Sequence, residues 1–72
     1  MNIDWGDTVK VNANAPKYYR PLEIASVCFI DKVDNYEESK FYNVDINSYV
    51  YQVEFGDGEI ISIPERYLEL HE

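Results

Sequence analysis

The chain has 72 residues, and its 14 acidic and 6 basic side chains give a formal net charge of -8. This length predicts one domain, residues 1–72, whose small core leaves little room for a supported active site. The charge disfavours nucleic acid and membrane surfaces, which are themselves anionic, and favours a basic protein partner, although it could also serve only to keep a small protein in solution.

Composition indicates a folded chain that is rich in strands. Hydrophobic residues make up 46% and aromatic residues 15%, which is too apolar for a disordered segment. Tyr, Val and Ile outnumber Ala and Leu, which favours strands over helices. Residues 1–7 lack the basic and apolar regions of a signal peptide, and no run approaches the roughly 20 apolar residues of a membrane span. We therefore expect a cytoplasmic protein.

The first half of the chain predicts two strands around an aromatic loop. Thr8 to Asn12 alternates polar and apolar residues, as a strand does. The segment Asn12 to Pro21 contains two prolines, which exclude a regular helix and indicate an ordered loop. Glu23 to Val33 also fits a helical stripe, but its β-branched residues favour a bent strand, buried on both faces of a small barrel. Cys28 lies within this run and is expected to be a buried small hydrophobe.

The second half predicts a long connection and then a further strand. Asp34 to Ser48 is polar and acidic, and it is expected to be a hairpin connection that could include a short strand at Phe41 to Ile46. Tyr49 to Phe55 alternates again, which places Tyr51, Val53 and Phe55 on one face of the next strand.

Gly56-Asp57-Gly58 predicts a tight hairpin turn into a strand at Glu59 to Ile63. Glycine supplies the positive φ that such turns need, and we expect it at Gly58. Two glycines around an aspartate could also form an anion-binding nest, but a phosphate-binding glycine loop opens a helix, and here a strand follows. Pro64 then suits the start of a 3₁₀ turn, and Glu69-Leu70 can form a last short strand.

No pattern of catalytic or metal-binding residues is present in the sequence. His71 is the only histidine and lies next to the last residue, so it lacks the fixed geometry that a general base needs. Cys28 has no base at a credible position and, as the only cysteine, cannot form an internal disulfide. The acidic cluster from Asp31 to Glu38 lacks the spacing of a calcium loop. We expect neither an enzyme nor a cofactor.

The order of these elements resembles that of SH3-like barrels. The resemblance rests on Gly6-Asp7-Thr8-Val9-Lys10-Val11, on Ile24 to Ile30, and on Tyr51 to Leu68 with its GDG hairpin and 3₁₀ turn. It implies an all-β, five-stranded SH3-like barrel with a short 3₁₀ turn before the last strand. The last stretch looks most like small bacterial immunity-type (toxin-neutralising) and uncharacterised SH3-like proteins, and Tudor and KOW domains share the barrel. These proteins often carry Pro-Gly where this chain has Pro21-Leu22, so that turn must be made differently.

The aromatic residues are more numerous than a core of this size needs. Tyrosine combines a large contact area with few rotatable bonds, which is why it is frequent at protein interfaces. We therefore predict a partner-binding face on the two long connections, built from Tyr18, Tyr19, Tyr36, Glu37, Glu38, Tyr42 and Tyr49. Two alternatives stay open: the tyrosines could cap a thin core with their hydroxyls in water, or form a Tudor-like cage for a methylated cation. A small basic patch of the KOW kind at Lys10, Lys17, Arg20 and Lys32 is opposed by the net charge.

The resemblance implies non-catalytic protein binding. An immunity-type protein occupies a toxin and blocks its substrate site, which requires only a complementary surface. A Tudor-like module that binds a cationic peptide, methylated or unmethylated, is the alternative function.

Overall fold

The computed structural model describes residues 3–72, so Met1 and Asn2 of the predicted domain lie outside the described residues. The strands of this part are β1 (Thr8–Val11), β2 (Ile24–Lys32), β3 (Tyr49–Phe55), β4 (Ile60–Pro64) and β5 (Leu68–Leu70). A short helix, α1 (Tyr36–Tyr42), separates β2 from β3, and 3₁₀ turns form at Lys17–Tyr19 and Glu65–Tyr67. No helix within residues 3–72 has the length and apolar character to cross a membrane.

The strands form one antiparallel sheet in the order β4-β3-β2-β1-β5. Val9 of β1 lies opposite Ala25 on one side and Leu70 on the other. Val53 of β3 lies opposite Val27 and Ile61 in the same way. The predicted predominance of strands, with five in the described residues, is therefore confirmed, as is the 3₁₀ turn before the last strand.

Residues of alternating strand positions form the core on one face of the sheet. Tyr51, Val53 and Phe55 are buried together, as the alternation in β3 predicts. The other members of this cluster are Ile3, Val9, Val11, Ala15, Tyr19, Ala25, Val27, Ile63 and Leu68. The first long connection therefore contributes two side chains to the core, whereas α1 contributes none.

Strand β2 is buried on one face only, so the prediction of burial on both faces is wrong. Ala25 and Val27 point into the core, whereas Ile24 and Phe29 are exposed. Cys28 is also exposed, which contradicts its predicted burial. The pairing passes from Val27 opposite Val53 to Phe29 opposite Gln52, so Cys28 is the extra residue of a β-bulge. A long apolar run here reflects a strand with an uncovered outer face and not a strand between two layers.

The hairpin between β3 and β4 has the predicted tight turn. The Gly58 amide donates to the Phe55 carbonyl at 2.9 Å, and the Phe55 amide donates to the Glu59 carbonyl at 2.9 Å. Gly58 has a φ of 90°, as expected. The Asp57 carboxylate accepts a hydrogen bond from the Glu59 amide at 3.1 Å, which stabilises the turn locally.

Helix α1 replaces the short strand that was predicted at Phe41 to Ile46, so that prediction is wrong. Asn35 caps the helix, since its Oδ1 accepts from the Glu38 amide at 2.9 Å and its Nδ2 donates to the Glu38 carboxylate at 2.9 Å. Asn43 ends the helix in the left-handed conformation, with a φ of 54°. The caps at Asn35 and Asn43 therefore stabilise a helix here, although the aromatic residues of the segment favour a strand.

The turn at Pro21-Leu22 uses leucine in a conformation that favours glycine. Leu22 has a φ of 71°, and Arg20 before the proline has a φ of 62°. The Leu22 amide donates to the Val11 carbonyl at 2.8 Å, and the Val11 amide donates to the Glu23 carbonyl at 3.0 Å. Hydrogen bonds to the end of β1 thus hold the turn without a glycine.

Replacement of Gly58 should test the hairpin turn. Gly58→Ala is expected to lower the free energy of unfolding by roughly 1–3 kcal/mol, because alanine is strained at positive φ. Gly56→Ala is the matched control, since Gly56 is not among the positive-φ glycines and a Cβ there meets nothing within 4 Å. Thermal melts that show equal losses for the two variants would contradict the turn geometry.

The exposure of Cys28 should be visible in its chemistry. A thiol reagent is expected to label Cys28 in the native protein at a rate close to that in denaturant, because the side chain lies on the open face of β2. Absorbance of the released chromophore measures both rates, and Cys28→Ser supplies the blank. Strong protection in the native state would place Cys28 in the core, and β2 would then face the other way.

Candidate protein-binding face

Four tyrosines from three separate segments converge on one side of the molecule. The Tyr19 ring lies between its neighbours, with ring centroids 4.6 Å from Tyr18 and 5.5 Å from Tyr67. Burial and then the nearby phenols of Tyr18, Tyr42 and Tyr67 raise the pKa of Tyr19 above its ordinary value. These four residues, here named the tyrosine cluster, bring the first long connection, the end of α1 and the second 3₁₀ turn together.

The members of the tyrosine cluster differ in what they offer to a partner. Tyr18 is 71% exposed and presents most of its ring to solvent. Tyr19, which was predicted as a surface anchor, is only 9% exposed and belongs to the core. Tyr42 and Tyr67 are half-buried. Tyr19 therefore supports the exposed rings, and it is not itself available as a large contact surface.

A groove of about 570 Å³ continues from the cluster along α1. Its walls are α1, the loop that follows it, the start of β3 and the second 3₁₀ turn. The predicted residues Tyr36 and Tyr49 supply its exposed rings. The remaining lining residues are polar or charged apart from one valine: Ser39, Lys40, Asn43, Val44, Asp45, Ser48, Glu65 and Arg66. The groove thus combines aromatic rings with both signs of charge.

Arg66 connects the groove with the tyrosine cluster. Its guanidinium donates to the carbonyl oxygens of Tyr42 at 3.0 Å and Asn43 at 2.9 Å. It also lies 4.6 Å from the ring centroid of Tyr67, close enough for a cation–π contact. The last carbonyls of a helix lack partners within the helix and carry partial negative charge, so a cation is favourable there. Sequence analysis missed Arg66 because its partners appear only once α1 is known to be a helix.

The hydrogen bond between Tyr51 and Glu65 fixes the second 3₁₀ turn against β3. The Tyr51 hydroxyl donates to Glu65 Oε2 at 3.0 Å. Burial, followed by the hydrogen bond to the Glu65 carboxylate, raises the pKa of Tyr51 to about 12. The phenol is therefore protonated at neutral pH and keeps the hydrogen bond. This contact sets the position of Arg66, the residue that follows Glu65.

The predicted acidic residues Glu37 and Glu38 lie on α1 beside an unpredicted aromatic residue. Phe41 is 79% exposed, and its ring meets Tyr42 edge to face with centroids 4.9 Å apart. These four side chains line a shallow notch of about 320 Å³. Phe41 was missed because the segment Asp34 to Ser48 was expected to be a hairpin connection, with a short strand as an option at Phe41 to Ile46 and no helix. The spacing of Asn35 and Glu38, typical of a helix start, is the signal that could have revealed it.

Arg20 belongs to a separate structural network and not to a free basic patch. Its guanidinium pairs with Glu23 at 2.6 Å, Glu59 at 2.8 Å and Asp57 at 3.0 Å. It also lies 4.2 Å from the ring centroid of Phe55. The hydrogen bond from Arg20 lowers the pKa of Asp57. These contacts tie the first long connection to the β3–β4 hairpin, and they leave Arg20 unsuited to the KOW-like role considered above.

The described residues hold no metal-binding cluster, and the comparisons with known proteins give no match. Residues 3–72 contain no group of three or more His, Cys, Asp or Glu side chains placed to hold a metal ion. No protein-family model, curated protein or solved structure matches the chain. The resemblance to SH3-like proteins therefore stays a prediction from the residues that carry it.

Removal of the Arg66 guanidinium should loosen α1 selectively. Arg66→Ala is expected to speed amide hydrogen exchange in residues 36–43 and to lower the free energy of unfolding by roughly 1 kcal/mol, because two helix carbonyls lose a charged donor. Nuclear magnetic resonance (NMR) spectra measure the exchange residue by residue. Lys17→Ala, which removes an exposed cation from the other 3₁₀ turn, is the control. Unchanged exchange in α1 would show that the helix does not depend on Arg66.

Proposed function

We propose that this protein is a non-catalytic protein-binding domain whose partner is basic. The observation that carries the proposal is the convergence of Tyr18, Tyr42 and Tyr67 beside a groove that exposes Tyr36 and Tyr49. Hot spots at protein interfaces are rich in such rings, since they bring area at a small cost in conformational entropy. We name these five residues the tyrosine face.

The distribution of charge supports a basic partner at this face. Within the described residues, the ion pairs are those of Arg20 with Glu23, Asp57 and Glu59, all away from α1. The carboxylates of Glu37 and Asp45, next to the tyrosine face, take part in none of these pairs. Because no ion pair neutralises these two carboxylates, their negative charge can attract an oppositely charged protein to the tyrosine face.

The chain connection between the sheet edges supports the finer proposal of an SH3-like barrel. Edge strands β4 and β5 lie four strand spacings apart in the sheet order, which is about 19 Å in a flat sheet. Only the turn Glu65–Tyr67 joins them, and four backbone steps reach at most about 14 Å. A strongly curled sheet satisfies this limit, as a small barrel does.

Toxin neutralisation is the specific role that we propose within this class. A stoichiometric inhibitor needs a complementary surface and no reacting groups, which suits a domain of 72 residues with a net charge of -8. The resemblance to immunity-type proteins in the stretch from Tyr51 to Leu68 favours the same role. A bacterial source and a cytoplasmic location belong to this proposal.

A Tudor-like domain that binds a cationic peptide is the second candidate. The groove offers the rings of Tyr36 and Tyr49 together with the carboxylates of Asp45 and Glu65, a combination that attracts a cationic side chain. The protein's own cations, Lys40 and Arg66, line the same groove and oppose this binding. A trimethyl-lysine peptide that binds the parent but not Tyr49→Ala would favour this candidate.

Capture of the partner from the native cell, followed by binding kinetics at two salt concentrations, tests the first proposal. Glu37→Gln should mainly lower the association rate and its salt dependence, because it removes a charge that steers the encounter. Tyr18→Ala should mainly raise the dissociation rate, equivalent to roughly 1–3 kcal/mol, because it truncates an exposed anchor.

Trp5→Ala is the matched control, since Trp5 is an exposed ring that contacts Phe29 and is not part of the tyrosine face. It should leave both rate constants unchanged. An acidic partner, or binding that tightens as salt rises, would contradict the electrostatic part of the proposal. Parent-like dissociation of both Tyr18→Ala and Tyr49→Ala would contradict the tyrosine face.

A further inference from the structure

Helix α1 is held by polar contacts at its ends while its side chains contribute nothing to the core. It has seven residues and none is buried, whereas isolated helices shorter than about 12–15 residues are marginal in water. Asn35 caps its start, and Arg66 holds its last carbonyls. The Ser39 hydroxyl adds a hydrogen bond to the Val44 carbonyl beyond the helix end. This arrangement keeps a helix in place although none of its side chains is buried in the core.

Five exposed or half-buried side chains of α1 form a ridge of aromatic and acidic groups, in which the Glu38 carboxylate already accepts a hydrogen bond from Asn35. Phe41 and Tyr36 are 79% and 72% exposed, among the highest values for large apolar side chains in the described residues. Glu37 and Glu38 lie between them in sequence, and they share a notch with Phe41 and Tyr42 that no cation lines. We name these five residues the α1 ridge.

We propose that the α1 ridge recognises the partner, and that the partner presents an apolar stripe flanked by lysine or arginine. Phe41 would enter the apolar part, and Glu37 and Glu38 would pair with the flanking cations. This inference rests on the proposed protein-binding function and specifies the chemistry of the partner.

Charge complementarity and continuity select this occupant. The notch offers two carboxylates and two rings, which together favour a cationic side chain over a neutral one. Tyr42 belongs both to the ridge and to the tyrosine cluster, so one partner can cover both surfaces without a break. A second copy of this chain is a poor occupant, because each copy has a net charge of -8 and the ridge carboxylates would face their equals.

Two synthetic peptides of 18 residues test the chemistry without a captured partner. Both form amphipathic helices with the same leucine stripe, and one carries lysine where the other carries glutamate. In NMR titrations of the full chain, the Lys/Leu peptide should shift the amide resonances of residues 36–42, and the Glu/Leu peptide should not. Phe41→Ala should lower the affinity for the Lys/Leu peptide by about tenfold or more, as expected for an anchor residue.

Two further variants make the result specific. Phe29→Ala is the matched control, since Phe29 is an exposed ring on β2 outside the ridge, and it should bind the Lys/Leu peptide like the parent. Glu37→Lys should weaken binding of the Lys/Leu peptide and reduce the difference in affinity between the two peptides. Phe41 is not part of the core cluster. Unchanged resonances of β1 to β5 in Phe41→Ala would therefore confirm that the fold is intact.

The proposal is overturned if the two peptides bind equally, if the shifts fall around Trp5 and Phe29, or if Phe41→Ala binds like the parent. The captured partner separates this inference from the proposed function. A partner that is released by Tyr18→Ala but held normally by Phe41→Ala would overturn the role of the ridge and leave the tyrosine face intact. A partner held normally by Phe41→Ala, Tyr18→Ala and Tyr49→Ala would overturn both.

Discussion

Two arginine side chains, Arg20 and Arg66, fix the connections that precede and follow β2. The main core covers one face of the sheet and includes Ala15 and Tyr19 of the first connection, and these two arginines add polar contacts that fix the connections before and after β2. Arg20 ties the first connection to the β3–β4 hairpin through three carboxylates. Arg66 holds the end of α1 through two carbonyl oxygens and lies against Tyr67. A guanidinium suits this task because its planar set of donors can bind several acceptors at once.

The two arginines bind different kinds of acceptor, so carboxylates are neutralised at one end of the molecule and not at the other. Arg20 neutralises carboxylates, so the hairpin end carries paired charges. Arg66 binds neutral carbonyls, so the carboxylates around α1 keep their charge. In this protein, with 14 acidic and 6 basic residues, the carboxylates of Glu37 and Asp45 near the exposed ring of Tyr36 take part in none of the ion pairs of the described residues. In the proposed complex with a basic partner, these unpaired carboxylates would attract the partner to the side of the molecule that Arg66 helps to fix.

The strands could be predicted because residue patterns within each segment specify them. Features that depend on packing between segments could not be predicted. The alternation in β3 and the GDG turn each specify a conformation through the residues themselves, and both were predicted from the sequence. Exposure of Cys28 depends on the absence of a layer over β2 in the described structure, which no local pattern reports. Tyr18 and Tyr19 are identical in chemistry and adjacent in sequence, so only the fold decides that Tyr19 packs in the core. Helix α1 was missed because it has no buried stripe, which is the usual sign of a helix.

The absence of a buried stripe in α1 also bears on how tightly such an element can bind. A helix that formed only on contact would lose backbone and side-chain freedom at that moment, which weakens association. Here the caps at Asn35 and Asn43 and the bonds from Arg66 fix the backbone in advance. Asn47 takes the left-handed conformation with a φ of 77°, and its amide donates to the Val33 carbonyl at 2.7 Å, which anchors the returning loop to the end of β2. The aromatic rings of the ridge are thus presented on a backbone that is already ordered, so the proposed complex would form without the cost of folding the helix.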